Sequence, residues 1–159
     1  MPDGITHYKF YKMGWAVVLP TSIIVCAVKP EFGVGISVGY ALGRWIDPDL
    51  DQIAITGAEG RVLHELGIFG KVFVAYSTLY GAVFYKHHRS FLTHFPGVST
   101  SIRLGYFFWW LYFAIDILYD WEIWFGFGVF IGLSFADLIH YLLDKFYKLS
   151  PNSKHNQEE

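Results

Sequence analysis

Three of the chain's seven histidines fall within eight residues, in a stretch that reads Tyr-Lys-His-His-Arg-Ser-Phe-Leu-Thr-His-Phe-Pro over residues 85–96. His88 and His94 cannot share a face of one regular helix, but a loop-to-helix transition would bring both together. Arg89 between them has the fork geometry that binds a phosphate or carboxylate. The stretch therefore indicates metal or phosphate chemistry at a membrane surface, with a basic loop that contacts lipid head groups as the alternative.

Three carboxylates alternate in the acidic run Asp47-Pro48-Asp49-Leu50-Asp51, directly after an apolar segment. Ionised and unpaired, they would repel one another. A divalent cation relieves that repulsion, and so do nearby lysines or arginines. Beside the histidines we favour the cation, and a carboxylate that is not a ligand, which we assign to Asp47, can act as a general base.

Asp137, His140 and Asp144 have spacings of three and four, which place them on one stripe of a predicted helix. An imidazole and a carboxylate one turn apart can bind one metal ion, or they can hydrogen-bond to each other in a bundle core. Ionisable residues within a membrane helix are costly and usually functional, which favours ligation. Asp137 is the deepest of the three, so it can instead accept a hydrogen bond from a ligand.

Composition indicates a membrane protein with one domain. The 159 residues are 53% hydrophobic, 20% aromatic and only 16% charged, whereas charged residues make up about a quarter of a typical soluble domain. The mean hydropathy is +0.33. Cys26 is the single cysteine, so the chain has no internal disulfide.

The elements that must position the chemistry are predicted to be helices of an all-α, polytopic membrane bundle. Four apolar runs predict four transmembrane helices: residues 13–28, 32–46, 102–118 and 123–146. Residues 61–85 are helical in pattern, but their cleanest apolar part, 72–85, is too short for a span of roughly 20 residues and suits an interfacial or re-entrant helix. In the second run Gly35, Gly39 and Gly43 repeat at every fourth residue, which predicts a face for close helix packing.

Four spans bring the polar groups to one side of the membrane. Both termini then lie on that side with His7, the acidic run, the histidine-rich stretch and the end of the last helix. All lysines and arginines except Lys29 also lie there, and the positive-inside rule makes this side cytoplasmic. We therefore expect one membrane domain over residues 1–149 with a cytoplasmic-face His/Asp metal site, followed by a polar, disordered tail over 150–159.

The motifs resemble those of the YdjM-like family, whose members are predicted metal-dependent hydrolases of the bacterial inner membrane. The resemblance runs in order over residues 7–144 and rests on the His-Arg…Thr-His block, the acidic run and the final His-x-x-x-Asp. The block has one residue more between its histidines than that family has, which brings the chain nearer a sister group of membrane proteins described only as metal-binding. The resemblance implies seven metal ligands: His7, Asp49, Asp51, His88, His94, His140 and Asp144.

These interpretations predict a membrane-embedded, metal-dependent hydrolase of a phosphoester, such as a lipid phosphate. Mixed imidazole and carboxylate ligands suit Zn or Mn, and seven ligands allow one or two ions. Arg89 would hold a phosphate oxygen. The expected partners are the bilayer and other membrane subunits, not nucleic acid. Two other classes stay open: a non-catalytic subunit of a larger complex with a structural metal site, and a di-iron membrane oxidase.

Overall fold

The computed structural model describes residues 4–51, 56–87, 90–109 and 121–149. Within these ranges every regular element is helical, which confirms the all-α prediction. Two short 3-10 turns, Pro48–Asp51 and Tyr85–His87, lie between the α-helices. The α-helices are α1 (Gly4–Cys26), α2 (Pro30–Leu42), α3 (Gly57–Leu66), α4 (Ile68–Phe84), α5 (Phe91–His94), α6 (Val98–Phe108) and α7 (Trp121–Leu149).

The glycine face of α2 packs directly against α7, as its spacing predicted. A Cβ atom added at Gly39 would overlap the carbonyl oxygen of Val129 in α7. From the opposite side, a Cβ atom added at Gly132 would overlap the carbonyl oxygen of Ile36. The two helices therefore approach backbone to backbone, and this fixes the rotation of α7 and of the polar stripe near its end.

Two tyrosines attach α1 to α2. The hydroxyl of Tyr40 donates to the Tyr11 carbonyl oxygen at 2.6 Å, and the Tyr11 hydroxyl donates to the Tyr40 carbonyl oxygen at 2.9 Å. Their rings stack with centroids 4.8 Å apart. Together with buried Val18 and Ile36, these contacts place His7, one turn before Tyr11, beside the end of α7.

A second apolar cluster anchors the acidic run. Leu50 is completely buried with Ile46, Tyr80 of α4 and Phe107 of α6. Because Leu50 lies between two aspartates of the run, its burial holds the 3-10 turn against α4 and α6. The position of the carboxylates thus depends on apolar packing that is contributed from other parts of the chain.

The segment that is helical in pattern over residues 61–85 forms two helices and not one, because the chain breaks at Gly67. Gly67 has a φ of 54°, a left-handed conformation that favours glycine, and it separates α3 from α4. The first of the two helices begins at Gly57, before residue 61, where the helical pattern in the sequence starts. The Thr56 side chain accepts from the Glu59 backbone N–H and the Glu59 side chain accepts from the Thr56 backbone N–H, a capping box that the sequence Thr-x-x-Glu signals.

Among the described residues, one helix is long and apolar enough to cross a membrane, Ile123–Phe146 within α7. A shorter apolar helix, Ile68–Phe84, corresponds to the segment predicted not to cross. Part of the predicted third span falls in residues 110–120, and the predicted disordered tail is residues 150–159; both lie outside the described residues. The four-span arrangement stays a prediction.

Candidate metal centre

Five of the seven predicted ligands lie close together at one end of the fold. We call them the ligand cluster, and they come from three α-helices and one 3-10 turn of the fold. The members are His7 of α1, Asp49 of the first 3-10 turn, His94 at the end of α5, and His140 and Asp144 of α7.

The first group in the cluster consists of His7, His140 and Asp144. The Nε2 atom of His7 lies 3.5 Å from Asp144 Oδ1, and the Nε2 atom of His140 lies 3.6 Å from Asp144 Oδ2. The two imidazole rings are 4.4 Å apart, centroid to centroid. One candidate ligand atom from each residue lies within 4.8 Å of the others, which is close enough for one ion to bind all three.

The second group consists of Asp49, His94 and His140, whose candidate ligand atoms also lie within 4.8 Å of one another. The two oxygens of Asp49 face different imidazoles. Its Oδ1 is 3.6 Å from His94 Nε2, and its Oδ2 is 3.6 Å from His140 Nε2. His140 therefore belongs to both groups and lies at the centre of the ligand cluster.

The Nε2 atom of His140 fits a cation position. It is buried and has no hydrogen-bond partner in the part of the chain that the structure describes. The carboxylates of Asp49 and Asp144 are each 3.6 Å away, too far for a good hydrogen bond but correct for groups that surround an ion. A buried polar atom that lacks a bond requires an explanation, and a metal ion is consistent with this donor set.

Two aspartates of the acidic run have different electrostatic environments. Burial, reinforced by the charge of Asp49, raises the pKa of Asp47 to about 6. Burial would also raise the pKa of Asp49, but its interactions with His94 and His140 outweigh burial and lower it. Asp49 is thus held in the charged form that a metal ligand requires, whereas Asp47 can exchange a proton near neutral pH.

Asp51 lies on the other side of the His94 ring. Its Oδ2 is 3.8 Å from His94 Nδ1, and the hydroxyl oxygen of Thr93 is 3.1 Å from the same nitrogen. Asp51 is completely buried and belongs to neither of the two groups. Its position suits a carboxylate that orients a ligating imidazole, with Nε2 directed toward Asp49.

Among the described residues, Asp137 forms its ion pair with an arginine. Its carboxylate forms a buried ion pair with Arg103 of α6 and accepts from the hydroxyls of Thr100 and Ser99, the latter at 3.4 Å. Arg103 also donates to the carbonyl oxygen of Ile46, at the start of the acidic run. Sequence reasoning missed this arginine, although opposite charges in two apolar segments were the signal that the segments pack together.

A cavity of about 110 Å³ opens beside the ligand cluster. His7, Asp49 and His140 line it, and so do two arginines, Arg44 and Arg61. Neither arginine was expected to have a role, because each lies in a different segment from the histidine motifs. Asp47, the predicted base, also lines the cavity; its Oδ2 is 3.7 Å from Arg61 Nη2, and its Oδ1 accepts from the Asp49 backbone N–H at 3.1 Å.

The predicted ligand His88 and the predicted phosphate-binding residue Arg89 lie outside the described residues. His64, which the motifs did not include, is exposed on α3 and belongs to neither group.

The fold and the cluster define an all-α protein with a candidate His/Asp metal centre. The model of the family described as uncharacterized metal-binding protein (DUF2227) matches residues 2–126, and the chain belongs to this family. The match agrees with the metal-binding sister group that the motifs indicated, and it supports neither the YdjM-like name nor hydrolase activity. His140 and Asp144 lie beyond the matched residues. Comparison with curated proteins and with solved structures finds no match.

Proposed function

We propose that the chain is a membrane-embedded, metal-dependent hydrolase of phosphoesters that works at the cytoplasmic membrane face. The observation that carries the proposal is the position of His140 Nε2, buried between two carboxylates and next to a cavity that contains positive charge. A metal with only a structural role is usually closed off by four protein ligands, whereas this cluster borders open space.

The ligand cluster would hold one or two ions, and its mixed imidazole and carboxylate donors suit Zn or Mn. When bound, such an ion lowers the pKa of a water molecule and polarises a phosphoryl oxygen. His140 belongs to both groups, but its Nε2 atom has a single lone pair and can therefore bind only one ion.

The surrounding residues have separate roles in this proposal. Asp47 lines the cavity, belongs to neither ligand group, and is positioned by Arg61 to accept a proton as a general base. Asp51 and Thr93 hold the His94 ring in one orientation. Arg89 keeps the role that its sequence context predicts, binding a phosphate oxygen.

Exposed apolar surface supports the membrane location. Ile24 of α1 is 70% exposed, Phe69 of α4 76% and Ile123 of α7 69%. Only 22% of the apolar window in α7 is buried within the protein. Surface of this kind on several helices is typical of contact with lipid. The distribution of lysine and arginine supports four spans, with both termini in the cytoplasm of a bacterium.

The proposal is tested with protein purified in detergent under conditions that avoid chelators. Elemental analysis should give at least one Zn or Mn per chain, and the metal-loaded protein should release phosphate from at least one member of a panel of lipid and soluble phosphate monoesters. His140→Ala should lose both properties, whereas the matched control His64→Ala, at an exposed histidine, should keep both.

Three results would redirect the proposal. Metal content without phosphate release from any substrate would favour the non-catalytic subunit, especially if other chains co-purify. Iron as the bound metal, with an optical band, would favour the oxidase. Wild-type levels of metal in His140→Ala would remove the cluster as the site.

A further inference from the structure

We propose that Arg44 and Arg61 form a binding site for the phosphate group of a phosphate monoester, on the wall of the cavity beside the ligand cluster. The inference rests on the proposed function and deepens it, because it names the residues that would hold the substrate's phosphate. The two arginines and the cluster residues His7, Asp49 and His140 line the same cavity, so an anion bound by the arginines would lie next to the ligand cluster.

Arg61 is held in place and still has donor capacity. Its Nη2 atom donates to the Arg44 carbonyl oxygen at 3.0 Å and lies 3.7 Å from Asp47 Oδ2. Its Nε atom is buried and has no hydrogen-bond acceptor among the described residues. A guanidinium has five N–H donors, so these contacts fix its plane without using all of them.

Arg44 is arranged in the same way. One of its terminal nitrogens forms an ion pair with Glu65, and its guanidinium lies 5.5 Å from the centroid of the Tyr8 ring, which also lines the cavity. The Nε atom of Arg44 is also buried without an acceptor in the described part of the chain. Because Arg61 donates to the backbone of Arg44, the two residues are adjacent, and both offer planar donors that match phosphate oxygens.

The size of the cavity selects the part of the substrate that enters. Its volume of about 110 Å³ is small beside the roughly 300–1,000 Å³ of pockets that enclose whole drug-sized ligands. A phosphate group fits such a space, and the remainder of the substrate would stay outside. This geometry accepts a phosphate monoester at the head of a lipid or on a soluble molecule.

Binding of a phosphate group is measured directly, so that the result does not depend on turnover. Inorganic phosphate is titrated by calorimetry into purified protein, with and without loaded Zn. Mixed micelles that contain a lipid phosphate monoester form the second arm, and micelles of the corresponding neutral lipid are its control. The variants are Arg61→Met, Arg44→Met and the charge-retaining Arg61→Lys, with Lys71→Met, at an exposed lysine of α4, as the matched control.

We expect each Met variant to weaken phosphate binding about tenfold or more, since a hydrogen bond to a charged group is lost. Arg61→Lys should lie between Arg61→Met and wild type, and Lys71→Met should equal wild type. Metal content should stay at the wild-type level in all variants, which separates this site from the ligand cluster. Binding of inorganic phosphate alone points to a soluble phosphate, and binding in the micelle arm alone points to a lipid head group.

Unchanged phosphate affinity in both folded Met variants would overturn the inference, and so would wild-type protein that binds neither probe. If Arg61→Met does not fold, Arg44→Met and Arg61→Lys decide the outcome by the same criteria. A protein that binds phosphate through the arginines but holds no metal would overturn the proposed function and leave the phosphate site standing.

Discussion

The Nε2 atom of His140 lies 3.6 Å from Asp49 Oδ2, although the two residues belong to the last helix and to a turn early in the chain. The other oxygen of Asp49 faces His94 at 3.6 Å. This one carboxylate therefore connects the imidazoles of α5 and α7. The candidate metal centre is consequently a product of tertiary packing, and its integrity can be tested residue by residue.

Replacement of His140 should reduce metal binding more than replacement of His7. His140 belongs to both ligand groups, whereas His7 belongs to one. We expect His140→Ala to abolish metal binding and His7→Ala to weaken it, measured as metal per chain after dialysis against a weak chelator. Equal retention in the two variants would show that His140 is not central.

Asp51 should affect the metal site indirectly, because it contacts the far nitrogen of His94. Loss of such an orienting carboxylate typically weakens metal affinity about 10- to 100-fold. We expect Asp51→Asn to show a loss of this size in a chelator competition assay, and Asp49→Asn to show a greater loss. Glu31→Gln, at the opposite end of α2, is the control and should leave affinity unchanged. A greater loss for Asp51→Asn would make Asp51 a direct ligand.

The buried ion pair of Arg103 and Asp137 should be costly to break on one side only. Arg103→Met leaves a buried carboxylate without its cation, which typically costs about 3–5 kcal/mol of unfolding free energy. The double variant Arg103→Met/Asp137→Leu should recover much of this loss, because neither charge remains buried. The measurement is denaturant or thermal unfolding in detergent. Lys29→Met serves as the control, since its partly exposed pair with Glu31 is 4.0 Å long and worth little.

The close approach of α2 and α7 predicts that one added methyl group is harmful. Gly39→Ala would direct a Cβ atom into the Val129 carbonyl oxygen, and overpacking of this kind typically costs about 1–3 kcal/mol. Gly126→Ala is the matched control on α7, where an added Cβ atom meets nothing within 4 Å. We expect a lower unfolding temperature only for Gly39→Ala. A tolerated Gly39→Ala would mean that the two helices lie farther apart than described.

Topology can be examined with single cysteines in a Cys26→Ser background. A membrane-impermeant thiol reagent added to intact cells should leave cysteines at the exposed positions Gly60 and Lys86 unlabelled, because both are expected to be cytoplasmic. The same reagent should label a cysteine at Val28, in the turn after α1, which is expected on the opposite side. The expectation follows from the asymmetry of positive charge. Labelling of Lys86→Cys from outside intact cells would contradict the four-span arrangement.

The local sequence pattern was sufficient to predict several features of this protein. The four-residue spacing of Gly35 and Gly39 predicted a packing face, because residues four apart lie on the same side of a helix. The spacing of His140 and Asp144 placed both on one stripe for the same reason, and their side chains do meet. By contrast, the break at Gly67 was not predicted, since an isolated glycine inside a helical pattern does not by itself indicate a left-handed turn.

Residue types and spacings by themselves determined the helical class, the glycine packing face and the set of residues from which the candidate ligands come. Only the tertiary structure decided how those residues divide among roles: Asp49 between two imidazoles, Asp51 behind His94, and Asp137 with Arg103 instead of a histidine. It also decided that Arg44 and Arg61 line the same cavity as the ligand cluster. The physical reason is that spacing fixes directions along one helix, whereas partners on different helices depend on how those helices rotate and pack.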